Sequence, residues 1–186
     1  MNSKTIIIIG LKLCVLCLVA AGALGVVNGI TAPQIATSKA QAVVDALSVI
    51  NKAGTIGDQK PGDGDVVNYY HPVTDNGKVS NYILSLKGEG YGGDVTVLAN
   101  YKTDGEIIDA KVMDNQETPG LGKKSEESWY MDKFKGTGAA NPVPVKKSML
   151  SASDADVIGG ATITFSGVAK ALEYGSEYVK KLGGQL

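Results

Sequence analysis

The chain has 186 residues, 18 lysines and no arginine against 19 acidic side chains, for a formal net charge of -1. That length and mixed composition fit one globular domain with an appendage rather than a disordered chain. Without arginine there are no bidentate guanidinium forks to read phosphates and guanine edges, so nucleic acid is not an expected partner.

The first element is an apolar stretch from Ile6 to Val27, interrupted by Lys12. Its length is close to the roughly 20 residues needed to cross a bilayer. Lys4, Lys12 and the amino terminus lie on its N-terminal side, and Asn28 to Ser38 carries no charge. The positive-inside rule then keeps the N-terminus cytoplasmic and sends the rest of the chain outside. Ala21-Gly22-Ala23 resembles a signal-peptide cleavage site, but the apolar run continues through Val26 and Val27, which favours an uncleaved anchor over residues 1–30. Lys12 reads as a side chain snorkelling to the cytoplasmic interface, with pairing to a partner helix as the alternative.

Cys14 and Cys17 share one face of that helix and read as small apolar packing residues, not as a redox motif. The remainder, residues 31–186, has no cysteine and a single histidine, His71. An iron–sulfur cluster or a bis-histidine haem cannot be assembled from such side chains, so electron transfer here calls for an organic cofactor.

Thr31 is expected to cap a helix with Pro33 in its first turn and Ala36, Ala40, Val43, Val44, Leu47 and Ile50 along one stripe, ending before Gly54. Gly54 to Asp65 reads as a surface loop, and its acid spacing matches no calcium loop, so no metal is assigned. Four β-rich runs come next, around Val66 to Tyr70, Val79 to Leu86, Asp94 to Tyr101 and Ile107 to Met113. The last two form a hairpin through Thr103-Asp104-Gly105, with Val95, Val97, Ala99 and Tyr101 on one face. Gly88, Gly90 and Gly93 match a dinucleotide fingerprint in spacing but open into a strand, so they are read as a turn. Ser125 is expected to cap a short helix, with Glu126 and Glu127 at its positive end and Trp129 and Phe134 as bulky anchors. A final helix is expected from about Ser166 to Leu182, burying Val168, Ala171, Leu172, Val179 and Leu182. The fold class is α+β: an antiparallel sheet with packed helices, preceded by one N-terminal transmembrane helix.

The chemistry concentrates in Asp156-Val157-Ile158-Gly159-Gly160-Ala161-Thr162-Ile163-Thr164, just ahead of the final helix. A Gly-Gly-Ala turn admits close approach, and the helix N-terminus beyond it offers free N–H groups and a positive dipole end, a natural phosphate site with the Thr162 hydroxyl beside it. An ordinary glycine turn with Thr164 or Ser166 as the helix cap fits the same residues. A second loop, Glu117-Thr118-Pro119-Gly120-Leu121-Gly122, can bring its backbone close to a flat ring, with Leu121 as an apolar cover. A rigid turn with Glu117 solvated is the alternative there.

Asp156, Gly160, Ala161 and Thr162 resemble the flavinylation motif of the FMN-binding domain shared by the Rnf G subunit and the C subunit of the sodium-pumping NADH:quinone reductase, Asp-x-x-(Ser/Thr)-Gly-Ala-Thr. Gly159 stands where that family has Ser or Thr. The Glu117 to Gly122 loop resembles the family's second signature, and Gly88-Glu89-Gly90-Tyr91-Gly92-Gly93 the stretch preceding it, while Asn115 replaces a common histidine. The missing insertion favours the Rnf subunit over its longer relative.

The resemblance implies an FMN joined as a phosphoester to Thr162, with Asp156, Gly159, Gly160, Ala161, Thr164, Glu117, Thr118, Gly120 and Leu121 around it and no residue acting as catalytic acid or base. It implies a membrane-anchored electron-transfer subunit of a ferredoxin:NAD oxidoreductase that moves Na⁺ or H⁺. Its partners would be the multi-span subunits A, D and E, through them B and C, and an FAD-dependent flavin transferase for maturation. The alternatives are a C subunit of the quinone reductase, a self-standing anchored FMN carrier, and an exported domain without flavin.

Overall fold

The structure is a computed structural model and describes residues 3–183. It contains two compact units, one ending at Val43 and the other beginning at Val44.

In the first unit, helix α1 (Ser3–Ile50) runs without interruption from the N-terminal apolar stretch past the unit boundary. Residues 3–42 are exposed throughout, as an apolar helix made for a lipid environment would be. Cys14 and Cys17 are free and exposed on it. The expected new helix start at Thr31 is not there. Instead the Thr31 hydroxyl donates back to the Val27 carbonyl at 2.9 Å, and Thr37 does the same to Pro33 at 3.0 Å. These are i−4 back-bonds of mid-helix hydroxyls, made within a continuing helix rather than at a cap. Pro33 is accommodated inside the helix although it has no N–H to offer.

The second unit opens with the last turns of α1, where Ala46 and Ile50 are buried and Leu47 is partly so, while Val44 of the expected stripe is exposed. Six antiparallel strands come after it: β1 (Thr55–Ile56), β2 (Lys60–Pro61), β3 (Val67–Asp75), β4 (Lys78–Glu89), β5 (Asp94–Lys102) and β6 (Ile107–Asp114). Their order is β1-β3-β4-β5-β6, with β2 also paired to β3. The segment expected to be a plain loop thus supplies two two-residue edge strands. They are too short and too polar to show an alternation, and pairing with β3 creates them.

The two faces of the sheet carry separate cores. Ile83, Leu98 and Val73 pack with Ala46 and Ile50 on one face. On the other, Leu84 and Leu86 of β4 and Val95, Val97, Ala99 and Tyr101 of β5 form the main core, as the alternation in β5 predicts. The β5–β6 hairpin turns at Thr103-Asp104-Gly105, closed by Lys102 N–H to Glu106 O at 2.8 Å and by Gly105 N–H to Lys102 O at 2.9 Å.

Three helices complete the unit: α2 (Ser128–Met131), α3 (Ala152–Val157) and α4 (Thr162–Gly183). Ser125 does not cap α2. It lies in a 3₁₀ turn over Gly122–Glu126 and its buried hydroxyl donates to the Gly122 carbonyl at 2.7 Å, while Glu127 occupies the cap position without a side-chain bond. Phe134 is buried as an anchor, stacked on Phe165 at 5.6 Å, whereas Trp129 is at the surface under the Lys133 ammonium.

Helix α4 lays Phe165, Val168, Ala171, Leu172 and Val179 onto the main core. It begins at Thr162, four residues before the expected Ser166, because the Phe165 N–H reaches the Ala161 carbonyl at 3.0 Å and closes the first turn there. Three β-branched residues at its start cost at most about 2 kcal/mol in helix propensity. Burying Phe165 one residue on contributes about 1.5–3 kcal/mol, enough to offset it. The helix crosses β4 backbone to backbone: a Cβ on Gly167 would collide with the Glu89 carbonyl, and one on Gly88 would lie 2.8 Å from the Gly167 carbonyl. This crossing sets the N-terminus of α4 beside the β4–β5 turn.

Candidate functional site

Three segments converge at that N-terminus: the β4–β5 turn, the loop after β6, and the turn between α3 and α4. They enclose a cleft of about 430 Å³ lined by Tyr91, by Glu117, Thr118, Leu121 and Gly122, and by Gly160 through Thr164. The cleft floor is polar and its rim is apolar.

Glu117 forms the floor. It is 5% exposed, and its two carboxylate oxygens accept from different segments, Oε1 from the Gly92 N–H at 3.0 Å and Oε2 from the Thr164 hydroxyl at 2.7 Å. Its own N–H donates to the Asn115 side chain at 3.0 Å, and Asn115 in turn donates to Glu126 at 2.8 Å. Gly90 and Gly122 flank the carboxylate so closely that a Cβ on either would strike it. Behind it lies the Tyr130 hydroxyl, buried and without a hydrogen-bond partner among the described residues. Burial, and then the charge of Glu117, push the Tyr130 phenol above its ordinary pKa.

The wall is the start of α4. Ala161 is the residue before the helix, Thr162 its first residue and Thr164 a buried residue at 1% exposure. The first-turn N–H groups have no helical carbonyl ahead of them, and with the dipole end they make this wall of the cleft suited to an anion. Thr162 is exposed and lines the cleft, whereas the Thr164 hydroxyl points to Glu117. Thr164 is therefore not a helix cap and Glu117 is not solvated, which removes the simpler turn readings of these two residues.

The rim is Leu121, 43% exposed, and Tyr91, 76% exposed. Gly160 turns with φ +89°, and the place a Cβ would take lies 3.0 Å from the Leu121 side chain, so the loop leans on the turn.

Of the ten expected site residues, Thr162, Gly160, Ala161, Thr164, Glu117, Thr118 and Leu121 line one cleft. Gly159, Gly120 and Asp156 do not line it. Gly159 and Gly120 shape the two turns, and Asp156, exposed in α3, accepts the Gly159 N–H on its carbonyl at 3.0 Å. Tyr91, Gly122 and Ile163 line it as well and were not expected. The visible signal for Tyr91 was an aromatic residue between glycines, in a stretch read as a bare turn. These groups fit a flavin mononucleotide: donors for a phosphate, a hydroxyl beside them, and apolar side chains for a ring. Among the described residues no cluster of His, Cys, Asp or Glu could hold a metal ion.

Comparison with known proteins agrees. Residues 90–177 match the model of the FMN-binding domain and residues 1–50 that of the RnfG N-terminal region. A relative from Cereibacter sphaeroides, the G subunit of an ion-translocating oxidoreductase complex, is 32% identical over 149 residues, 78% of this chain and 67% of the relative. The chain belongs to the G-subunit family of ion-translocating oxidoreductase complexes. Two further family members align over nearly their whole length. The G subunit of the Na(+)-translocating ferredoxin:NAD(+) oxidoreductase complex of Acetobacterium woodii is 29% identical, over 96% of this chain and 94% of the relative. The G subunit of the proton-translocating complex of Clostridium ljungdahlii is 25% identical, over 98% and 96%. Among solved structures, the C subunit of the Na(+)-translocating NADH-quinone reductase of Parabacteroides distasonis is 29% identical, covering 68% of this chain and 73% of that one, with a TM-score of 0.49. The G-subunit family's N-terminal region corresponds to the apolar helix, and its FMN-binding domain spans all three segments of the cleft.

Proposed function

We propose that this chain is the membrane-anchored electron-transfer subunit of an Rnf-type ferredoxin:NAD oxidoreductase and holds FMN as a phosphoester on Thr162. The observation that carries the reading is the position of Thr162: an exposed hydroxyl on the first residue of a 22-residue helix, inside a cleft with an apolar rim. The first-turn N–H groups of α4 hold the phosphate, Thr162 tethers it, and Leu121 and Tyr91 cover the ring. Bound FMN supplies one- and two-electron chemistry, so the protein's work is to bind, orient and shield. No acid or base is required.

A tether suits a domain outside the cytoplasm, since it keeps the cofactor at high effective concentration where free FMN is scarce. Lys4 and Lys12 against the uncharged Asn28 to Ser38 support that orientation, with the N-terminus in the cytoplasm. Residues 1–30 are the anchor in this reading, residues 31–186 the flavin domain. The other Rnf subunits, A, D and E and through them B and C, are its partners, and a flavin transferase using FAD loads it. The names of the relatives, as members of such complexes, support the assembly.

Thr162→Ala tests the attachment. The variant removes the acceptor oxygen and keeps a small residue at a helix start, so the protein folds and shows no fluorescent band on a denaturing gel. A retained band, or a flavin mapped by peptide analysis to Thr164, would refute the assignment.

A further inference from the structure

Glu117 is a buried carboxylate that the binding of a flavin does not by itself require, and it bonds outward to two different segments. We propose that it is the positioning residue of the acceptor site: by accepting from Gly92 and from Thr164 it ties the β4–β5 turn to the first turn of α4, and so fixes where the Thr162 hydroxyl enters the cleft.

The geometry has three parts. Thr164 stands two residues beyond Thr162 in the same helical turn, so a restraint on one sets the azimuth of the other. The restraint is buried: Glu117 and Thr164 are both almost fully enclosed, and an unpaired carboxylate oxygen at such a depth is strongly disfavoured. Nor can the carboxylate slide, because Gly90 and Gly122 close on its two sides and its backbone N–H is held by Asn115. Glu117 thus acts through Thr164 rather than on the cofactor. Its role is shape, with one acceptor for an N–H and one partner for a hydroxyl. An amide of equal size offers an acceptor to Gly92 and can donate to the threonine oxygen.

The inference rests on Thr162 being the acceptor, and the experiment separates the two. Full-length protein in detergent micelles, without flavin, is incubated with FAD and a flavin transferase below the melting temperature of every variant. Covalent flavin is read by fluorescence on a denaturing gel, and deuterium uptake is followed by mass spectrometry in the same samples. Glu117→Ala and Thr164→Val should slow incorporation by roughly 100-fold, the scale of a misplaced reacting group. Glu117→Gln and Thr164→Ser, which restore the tie, should return it to near the wild-type rate. The amide of Phe165, which closes the first turn on the Ala161 carbonyl, should exchange faster in the first two variants and normally in the second two.

Should Glu117→Ala not fold, Thr164→Val carries the test, since it deletes one hydroxyl. Wild-type incorporation in Thr164→Val, or a Glu117→Gln as slow as Glu117→Ala, would overturn the positioning role. If the wild-type chain itself took up no flavin, the attachment reading would fall. The exchange data would still decide the tie, with uptake unchanged in Thr164→Val rejecting it.

Discussion

Leu121 stands at the mouth of the cleft, less than half exposed and leaning on the Gly160 turn. Leu121→Asp places a charge at the position proposed to cover the ring, and a charge cannot be desolvated against a ring without cost. The expected result is a flavin still attached but with a shifted visible absorbance and slower reduction, checked by spectroscopy of the purified protein. An unaltered spectrum would mean that this loop does not cover the cofactor. Residues of this kind were legible in the sequence because they are local: the glycines and proline around Leu121 announce a rigid turn by themselves. Glu117 was legible as a member of that turn but not as a buried one. Its partner Thr164 lies 47 residues away, and no periodicity or spacing connects a loop carboxylate with a helix hydroxyl at that distance.

At the scale of elements, the crossing of α4 over β4 is governed by missing side chains. Gly167→Ala would drive a Cβ into the Glu89 carbonyl, and backbone cannot yield as the end of a flexible side chain can. The expected loss is about 1–3 kcal/mol, the usual cost of overpacking, measured by denaturant unfolding of the second unit within the full chain. A loss below the error of the extrapolation would mean that helix and strand can separate freely. The last two strands were read to within a residue of their ends because Val95, Val97, Ala99 and Tyr101 mark one face of β5. By contrast, β3 runs on to Asp75, five residues past the expected Tyr70, and β4 to Glu89, three past Leu86, because pairing with neighbouring strands extends them. Helix starts were read less well. Ser166 looked like a beginning because Thr162, Ile163 and Thr164 are weak helix formers, yet tertiary burial of Phe165 outweighs their propensity. Thr31 looked like a cap because Pro33 stands two residues on, but a hydroxyl can also bond backwards to Val27 within a continuing helix.

For the whole molecule, two properties emerge. The first is a response to alkali. Tyr101 is fully buried with its hydroxyl donating to the Leu172 carbonyl at 3.0 Å, and its pKa is raised well above the usual 10.0 by burial; that of Tyr130 is raised by burial and then by Glu117. Both phenols stay neutral in the fold while the unfolded chain ionises, so their contribution is fully present below about pH 10 and is lost as pH rises past it. The part of the tyrosinate absorbance that belongs to these two buried phenols should therefore appear together with the loss of ellipticity in an alkaline titration. Tyr130→Phe, which removes a hydroxyl without a partner among the described residues, should move that transition to higher pH. Ionisation of both buried tyrosines ahead of the loss of ellipticity would contradict this account. The second is topology. A cysteine placed at Lys60, on an edge strand of the second unit, should react in intact cells with a thiol reagent that does not cross membranes. Protection from it would reverse the proposed orientation.

The exposure of Thr162 also says something about the order of events in making this protein. The hydroxyl sits outside a helix turn already closed by the Ala161 carbonyl, over a core that holds no part of it. On the proposed attachment at Thr162, the group is added outside a closed turn, so loading would not require the fold to reopen. A folded chain without flavin would then itself be the substrate of the loading step, and the supply of active protein would follow that step.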